Sequence, residues 1–348
     1  RADGHADLTR SPPPARHTLP RARYLSDAIQ TSKGCPYNCE FCSVYSFDGQ
    51  RIRSKSIDQV VTEIEDIKRS GTKYKKKKSV FFVDDNIIAN KSFSRRLFMA
   101  LEPLNINWMC QASVNISRED ELLTLMRQSG CGAVFVGFES ISKDNLAHMH
   151  KVVNGRYDYA EAIRKIQAHG IIVHGSFIVG YDSDVPSVFD ELIEFIRQSH
   201  LLVPIIHILT PFPGTILFER LQREGRIRHT DWTKYDTKHV VFSPHGMSAE
   251  ELLVGYRRLV KEVYCFDSIL ERLNYYWATD FWGPHNRIDP VKFRYRLLFA
   301  LRLLTLLFSR HTERSKFIVR ILPKVFDRRV RVSAILAQMA YNDLAHSL

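Results

Sequence analysis

The sequence predicts an α/β protein: a partial (β/α)6 barrel followed by a mostly helical C-terminal extension. Between Asp27 and about residue 214, six short apolar segments alternate with segments of helical periodicity. The apolar segments are nearly continuous, which is typical of strands in a parallel sheet covered by helices on both faces. Apolar residues make up 45% of the chain, a fraction that supports a packed core and excludes a disordered protein.

Residues 1–24 precede this pattern and are predicted to be a linker, because prolines at positions 12–14 and 20 interrupt any regular element. These residues lack the apolar h-region of a signal peptide. No run of 18 apolar residues occurs, so the sequence predicts no membrane-spanning helix. Six cysteines are too few for a disulfide scaffold in a chain of this length, and we expect a cytoplasmic protein.

Each strand–helix unit carries its own signals. The six strands are predicted at residues 28–32, 80–83, 108–114, 133–138, 171–179 and 203–209. The first helix has an apolar face from Ile57 to Ile67 and ends at Gly71. The next helix is predicted over about 92–102. The one after it begins at a capping box of Ser117 and Asp120 and ends at Gly130. A further helix is predicted over about 158–169, and Pro186 lies near the first turn of the helix that follows.

Polar and glycine-containing segments follow the strands, and active sites of βα barrels lie at the carboxyl ends of the strands. These segments are the cysteines near residue 40, Asp84-Asp85, Glu139 and Gly180-Tyr181-Asp182. After about residue 240 the alternation stops, and Ser248 is predicted to cap a helix that runs to about Phe266. The sequence therefore divides into a linker (1–24), a barrel core (25–240) and a helical basic region (241–348).

Cys35, Cys39 and Cys42 form a C-x3-C-x2-C pattern after the first strand. Three thiolates on one loop suit three irons of a [4Fe–4S] cubane and leave the fourth iron open for a ligand. The alternative is structural zinc, but zinc sites combine C-x2-C pairs from two places, and the sequence has no second pair. The other cysteines are scattered singly and are predicted to be core residues: Cys110, Cys131 and Cys265.

This motif, with Phe41 before its last cysteine, resembles the radical S-adenosylmethionine (SAM) superfamily over roughly residues 24–240. The resemblance implies that Cys35, Cys39 and Cys42 hold a [4Fe–4S] cluster whose open iron is chelated by SAM. An electron from the cluster then cleaves SAM to methionine and a 5′-deoxyadenosyl radical, which takes a hydrogen atom from the substrate. A reductant protein of the flavodoxin or ferredoxin type is implied as a partner.

The resemblance also implies SAM contacts elsewhere. Asp84-Asp85 stands where the family often has Gly-Gly-Glu, and either carboxylate could accept from the SAM ammonium. Segment 137–140 is similar to the family segment that contacts the ribose, and segment 175–180 to the one on the adenine side. The implied cofactor-binding residues are Phe41, Asp84, Asp85, Glu139, Ser140, Ser176, Ile178 and Gly180. No residue is assigned a catalytic role.

Segments 83–86, 177–182, 210–215 and 232–247 resemble the cobalamin-associated branch of the superfamily. This branch includes the hopanoid methylases and relatives of the anaerobic magnesium-protoporphyrin cyclase. It implies methylation of an unactivated carbon with cobalamin, on a small-molecule, lipid or isoprenoid-type substrate. The alternatives are a cobalamin-independent cyclase or rearrangement enzyme and, from another class, a non-catalytic metal-binding interaction module.

The branch usually carries an N-terminal cobalamin-binding domain with an Asp-x-His-x-x-Gly motif, which the 348 residues lack. Two options stay open: the sequence is a piece of a longer protein, or the protein works without cobalamin. Methylthiotransferases are a further alternative, but their second three-cysteine site and RNA-binding module are not visible.

Basic residues concentrate in the tail. From His285 to Leu348 there are 13 Lys and Arg against 4 Asp and Glu, a net charge of +9 within a total of +12. We interpret this region as a helical subdomain with a solvated basic face; the alternative is peripheral contact with an anionic membrane. No nucleic-acid-binding module is apparent. The lysine run at 75–78 is predicted to be a solvated loop, and His174 and His207 are predicted to be core residues, with the substrate pocket as the alternative for one that faces inward.

Overall fold

A computed structural model describes residues 7–18, 26–69, 79–151 and 153–279, then residues 312–326 and single positions at 281, 300, 301, 303, 335, 338, 339, 342, 343 and 345. The predicted linker lies only partly within these ranges, where short 3-10 turns occur at Leu8–Arg10 and Arg16–Thr18. Gly71, the lysine run at 75–78 and most of the basic tail lie outside the described residues.

Six parallel strands form the central sheet, in the order β1-β4-β5-β6-β7-β8. They are β1 (Asp27–Ile29), β4 (Ser79–Phe82), β5 (Asn107–Ala112), β6 (Cys131–Glu139), β7 (Ile172–Val179) and β8 (Val203–Ile208). An antiparallel ribbon of β2 (Ser32–Lys33) and β3 (Arg53–Ser54) falls between β1 and β4 in the chain. The predicted α/β class with a six-stranded parallel sheet is confirmed.

Helices connect the strands and continue beyond the sheet. They are α1 (Ser43–Phe47), α2 (Ile57–Arg69), α3 (Lys91–Leu101), α4 (Asp120–Gln128), α5 (Lys143–His148), α6 (Tyr159–Ala168), α7 (Val188–Gln198), α8 (Ile216–Arg223), α9 (Ala249–Val263), α10 (Phe266–Ala278) and α11 (Thr312–Ile321). The apolar face of α2, with Val60, Ile64 and Ile67 fully buried, follows the predicted 3.6-residue period. The short helix α5 carries no comparable periodic signal and was not predicted.

The strands are not buried equally on both faces. In β5 and β7, fully buried residues alternate with partly exposed ones. One side of each strand packs into the core, and the partly exposed Gln111 on β5 and Ser176 on β7 line a cavity together with Phe135 on β6 and Ile205 on β8. This departs from the predicted burial of both faces, because a barrel that holds a ligand leaves part of its inner face uncovered.

The first predicted strand, residues 28–32, is split in two. Asp27–Ile29 pairs with β4, whereas Ser32 begins the ribbon. The cause is Asp84, whose carboxylate accepts hydrogen bonds from the backbone N–H groups of Thr31 and Ser32. These bonds take the place of ladder bonds and turn the chain out of the sheet.

Two predicted helix boundaries are wrong. Ser117 lies in a 3-10 turn, and α4 begins after Glu119, which makes no side-chain capping hydrogen bond. Ser248 does cap α9, in a capping box with Glu251, but that helix ends at Val263 and α10 starts after Cys265. Within the described residues, no helix is long and apolar enough to cross a bilayer.

Candidate active site

A cavity of about 450 Å³ opens at the carboxyl ends of the parallel strands. One wall is the cysteine loop, defined as residues 34–42 between β2 and α1. It contributes Cys35, Tyr37, Cys39, Phe41 and Cys42. The opposite walls come from strand ends and include Asp85, Gln111, Glu139, Ser176 and His207. The structure therefore brings residues from the other five strand–helix units to the cavity that the cysteine loop lines.

The three cysteines of the loop are shielded from water. Cys39 is buried, and Cys35 and Cys42 are half-buried. Burial raises the pKa of all three thiols, that of Cys39 to about 12. Iron and zinc bind the thiolate, so metal loading at this loop displaces protons and is favoured as the pH rises.

The three cysteines line one wall of the cavity without forming a site for a single metal ion. Within the described residues, no group of three or more His, Cys, Asp or Glu side chains is close enough to hold a single metal ion. Tetrahedral zinc draws its sulfur ligands to about 2.3 Å from one ion. A cubane cluster binds each cysteine to a different iron. A loop that places three separate thiols on one wall of a cavity fits that requirement.

Asp84 and Asp85 are neighbours in sequence with different surroundings. The Asp84 carboxylate is fully buried and accepts from the hydroxyls of Thr31 and Ser32 at 2.7 and 2.6 Å. Asp85 lines the cavity, and its Oδ2 has no hydrogen-bond partner in the described part of the chain. Burial raises the pKa of Asp85, and the charges of Asp48 and Asp84 add to this. Asp84 therefore supports the fold, and Asp85 is the carboxylate available to a ligand.

Glu139 is aimed by an irregularity at the end of β6. The register with β7 shifts between Gly137 and Glu139, and Glu139 has a left-handed φ of 66°. Bulges of this kind redirect side chains, and few non-glycine residues adopt positive φ. Asn154 Nδ2 donates to the carbonyl of Gly137 at 2.9 Å, and the Tyr159 hydroxyl donates to the carbonyl of Phe138 at 2.8 Å. Backbone strain stabilised in this way is typical of a functional position.

Lys151, which the sequence did not indicate, completes this wall. Its side chain is buried, its ammonium donates to the Glu139 carboxylate, and its Nζ lies 5.9 Å from the centre of the Phe41 ring. Burial lowers the pKa of Lys151, but the charges of Glu139 and Cys39 outweigh it, so the pKa is raised and the ammonium stays charged. A Cβ added at Gly137 would lie 2.9 Å from Nζ, so glycine leaves room for the pair.

Of the remaining residues predicted to bind the cofactor, some line the cavity and others do not. Phe41 and Ser176 line the cavity, whereas Ser140, Ile178 and Gly180 are not among its described lining residues. The Ser140 hydroxyl and the Gly180 N–H make hydrogen bonds with nearby loop residues, and Ile178 packs against the hydrophobic core. Their assignment as cofactor-binding residues was implied by the resemblance alone.

The two strand histidines also differ. The His174 ring lies with its centre 4.4 Å from that of Phe135, and burial lowers its pKa to about 4, so its imidazole is neutral; His174 is partly buried and is not among the described residues that line the cavity. His207 lines the cavity, and its Nδ1 lies 3.0 Å from Thr237 Oγ1. Burial lowers the pKa of His207 as well, so a neutral imidazole faces the cavity.

Comparison with known proteins covers most of the chain. A sequence profile of the Radical SAM superfamily matches residues 29–196. The chain belongs to the radical SAM superfamily. A profile of a domain of unknown function, DUF4070, matches residues 215–344. These matches confirm the family predicted from the cysteine motif; the predicted domain boundary near residue 240 stays a prediction.

Two curated relatives are methylating enzymes of the kind that the later segments predict. Bacteriochlorophyllide d C-12(1)-methyltransferase of Chlorobaculum tepidum is 35% identical over 78% of this chain and 61% of its own length. Hopanoid C-2 methylase of Rhodopseudomonas palustris is 33% identical over 77% of this chain and 50% of its own length. The chain thus spans between half and about three fifths of these relatives.

Solved structures support the fold. The radical SAM methyltransferase TsrM of Kitasatospora setae, determined with cobalamin and a [4Fe–4S] cluster, aligns with 86% of this chain and 60% of its own, with a TM-score of 0.52 and 18% identity. The cobalamin-dependent radical enzyme OxsB aligns with 99% of this chain and 57% of its own, with a TM-score of 0.56 and 16% identity. At this identity the likeness concerns the fold.

The radical SAM family uses a [4Fe–4S] cluster and SAM, and the residues of the cavity fit both. Cys35, Cys39 and Cys42 supply an all-sulfur donor set around one cavity. The unpartnered oxygen of Asp85 and the charged Lys151 offer an acceptor and a donor for the ammonium and carboxylate ends of an amino acid.

Proposed function

We propose that this protein cleaves SAM at a [4Fe–4S] cluster held by Cys35, Cys39 and Cys42, and uses the cleavage to methylate an unactivated carbon with the help of cobalamin. The observation that carries the proposal is that three thiols line the same cavity as Asp85, Glu139 and Lys151, at the carboxyl ends of the strands. Metal ligands and counter-charges for SAM lie where barrels of this kind hold their chemistry.

When bound, the cluster supplies the electron that cleaves SAM to methionine and a 5′-deoxyadenosyl radical. The Asp85 carboxylate would accept hydrogen bonds from the SAM ammonium, and Glu139 would accept from ribose hydroxyls. Lys151 holds Glu139 in place and adds positive charge beside the thiolates.

The substrate is proposed to be largely apolar. Beyond the polar residues above, the cavity is walled by Ala112, Phe135, Val136 and Ile205. Apolar pockets with a few placed polar groups orient ligands of that character. The curated relatives are named for bacteriochlorophyllide and hopanoid methylation, which supports a lipid or isoprenoid-type substrate. His207 and Ser176 would meet a polar group on it.

Radical SAM cleavage is tested first. The full chain is reconstituted anaerobically with iron and sulfide, then given SAM and dithionite, and 5′-deoxyadenosine is measured. A Cys35→Ala/Cys39→Ala/Cys42→Ala variant should lose both the brown colour and the product. Cys265→Ala is the matched control, because this half-buried cysteine is not among the residues that line the cavity. A colourless wild type that binds zinc and leaves SAM intact would overturn the proposal.

Methyl transfer is tested with methyl-labelled methylcobalamin and candidate substrates of two kinds, a polycyclic isoprenoid and a chlorin. Label in the product, dependent on SAM and on the three cysteines, is the expected result. Turnover to an unlabelled product would replace methyl transfer with cyclisation or rearrangement and leave the SAM chemistry in place.

Peripheral membrane contact and a flavodoxin- or ferredoxin-type reductant are proposed as partners. The net charge of +9 over residues 285–348 supports the first. Sedimentation with vesicles of anionic lipid, but not of neutral lipid, is the expected result. Equal sedimentation with both would remove the electrostatic basis of this contact.

A further inference from the structure

Glu40 lies inside the cysteine loop, between Cys39 and Cys42, yet it is not among the residues that line the cavity. Its side chain is 5% exposed. Its carboxylate accepts from Arg220 Nη2 at 2.8 Å, from Arg220 Nε at 3.3 Å, and from the Tyr181 hydroxyl. A buried carboxylate is stable only when its charge is compensated, and a two-pronged arginine contact does this with defined geometry.

Arg220 is itself part of a longer chain of charges. Its Nη1 donates to Asp182 Oδ2 at 2.6 Å, and Asp182 Oδ1 accepts from Arg226 Nη2 at 2.6 Å. The charges alternate in sign along Glu40, Arg220, Asp182 and Arg226, which we call the rear clamp. Each member of the rear clamp is buried or largely buried, so solvent screens the contacts weakly.

The backbone of Glu40 is also held by residues that are distant in the chain. Its N–H donates to the carbonyl of Met149 at 3.2 Å, and its carbonyl accepts from the N–H of Leu217 at 2.8 Å. The elements on either side of the cysteine loop are short: β2 has two residues and α1 has five. The shape of the loop therefore depends on contacts with distant segments.

The topology explains why such contacts are needed. Among the described strands, β1 and β8 lie at opposite edges of the sheet and do not pair with each other. Glu40 follows the first strand, whereas Tyr181 and Asp182 follow β7 and Arg220 belongs to α8, after β8. The rear clamp joins the first unit of the open barrel to the last two.

We propose that the Glu40–Arg220 pair is a positioning device that holds the cysteine loop in the shape that retains the cluster. The inference rests on the proposed function in taking the three cysteines as cluster ligands. Glu40 is given no contact with SAM or substrate. Loss of Arg220 leaves the buried Glu40 carboxylate without a counter-charge, and loss of the Glu40 charge releases Arg220 to Asp182 alone within the rear clamp; in both cases the loop is expected to move.

The test compares Glu40→Gln and Arg220→Met with Arg95→Met in the full chain. Arg95 binds Glu121 through two contacts of 2.7 Å on the exposed surface, so this control removes a pair of the same geometry away from the loop. Hydrogen exchange of residues 34–42 is measured in the metal-free protein, with β5 as the internal reference. The rate of cluster loss to an iron chelator is measured after reconstitution.

Both clamp variants should accelerate loop exchange and cluster loss by about tenfold or more, since breaking one side of a buried ion pair is strongly destabilising. Arg95→Met should match the wild type. Arg220→Lys should recover part of the loss, because lysine keeps the charge without the forked geometry. A single variant that unfolds globally would also exchange faster in β5. In that case the double variant Glu40→Gln/Arg220→Met, which removes both charges, should exchange more slowly in β5 than the single variant.

Unchanged loop exchange and unchanged cluster loss in both clamp variants would overturn the inference. The inference would also be overturned if exchange rose throughout the chain, without preference for residues 34–42, and the double variant did not restore slow exchange. If the wild type takes up no cluster while loop exchange still rises in the clamp variants, the positioning role is supported and the proposed function fails.

Discussion

The Glu139–Lys151 pair and the Glu40–Arg220 pair each join a buried carboxylate to a cation beside the cysteine loop, but their surroundings differ. The ammonium group of Lys151 has Glu139 as its one hydrogen-bond partner among the described residues, and both side chains line the cavity. Arg220 binds Glu40 and Asp182 behind the loop, away from the cavity. A pair with N–H groups to spare can receive a ligand, whereas a saturated pair holds the chain in place.

The consecutive carboxylates show the same division. Asp85 faces the cavity with one oxygen unpartnered in the described part of the chain, while Asp84 is saturated by Thr31 and Ser32. Proximity to the cysteines therefore does not identify a ligand-binding residue. Unused hydrogen-bonding capacity on the cavity side is the better criterion, and substitutions in the two groups should separate binding from stability.

The largest effect is expected for Lys151→Met. This change keeps the volume of the side chain but leaves Glu139 buried without its counter-charge, which should destabilise the fold by about 3 kcal/mol. SAM affinity of the cluster-loaded protein should fall about a hundredfold, because a charged donor on the cavity wall is lost. Equilibrium dialysis with labelled SAM and urea unfolding of the metal-free protein measure the two effects separately.

The double variant Glu139→Gln/Lys151→Met is the control. It removes the uncompensated charge, so most of the lost free energy of unfolding should return while SAM binding stays weak. A double variant that binds SAM as well as the wild type would show that the Glu139–Lys151 pair is structural, like the Glu40–Arg220 pair.

Much of this division could be predicted from the sequence, and part could not. The cysteine spacing predicted the loop, and strand ends predicted Asp85 and Glu139 at the cavity, because the carboxyl ends of parallel strands share one edge. The apolar runs also placed β5 to β8 within about two residues, within the usual error of boundary prediction. Local pattern was sufficient wherever a residue's role follows from its position on a strand.

The partners of these carboxylates were missed because their contacts are long-range. Lys151 follows Glu139 by 12 residues and lies beyond a short helix without a clear periodic signal. Arg220 is 180 residues from Glu40. Neither spacing corresponds to a helix or strand period, so the pairing is visible only once the barrel is folded. The choice between Asp84 and Asp85 likewise depended on the ribbon that Asp84 itself creates.

A second, smaller contrast is expected between Asp84→Asn and Asp85→Asn. Asparagine at 84 places an amide donor against N–H and O–H donors, so the free energy of unfolding should fall by about 2–4 kcal/mol. Asparagine at 85 should leave stability within about 0.5 kcal/mol and weaken SAM binding about tenfold, because a charge-assisted contact becomes a neutral one. The reverse pattern would assign the ligand contact to Asp84.

Gly137→Ala should weaken SAM binding several-fold. The added methyl group would lie against the Glu139 carboxylate and Lys151 Nζ, which are the mobile ends of long side chains. The fold should absorb this at a cost of about 1 kcal/mol. The displaced pair should bind SAM about fivefold less tightly, a loss of about 1 kcal/mol. Unchanged SAM affinity would indicate that the position of the Glu139–Lys151 pair is not set by Gly137.

The smallest effect concerns pH and the rear clamp. Burial raises the pKa of Asp182, but hydrogen bonds from Arg226 and Arg220 outweigh it, and the pKa is lowered from 3.8. A carboxyl whose folded pKa is lowered stabilises the fold above its unfolded pKa and loses that contribution as the pH falls through the folded value. Lys151 has a raised pKa, so its contribution is complete below about 10.5 and is lost only as the pH rises through its folded value.

Acid should therefore weaken the rear clamp and leave the charge of Lys151 unchanged. In urea unfolding between about pH 6 and pH 3, the wild type should lose more stability than Asp182→Asn, by no more than about 1 kcal/mol, since Asp182 is partly exposed. Cluster loss to a chelator should accelerate over the same range in the wild type. Identical pH dependence in the two proteins would show that the charge of Asp182 does not contribute to the rear clamp, and Glu40–Arg220 would then act as an isolated pair.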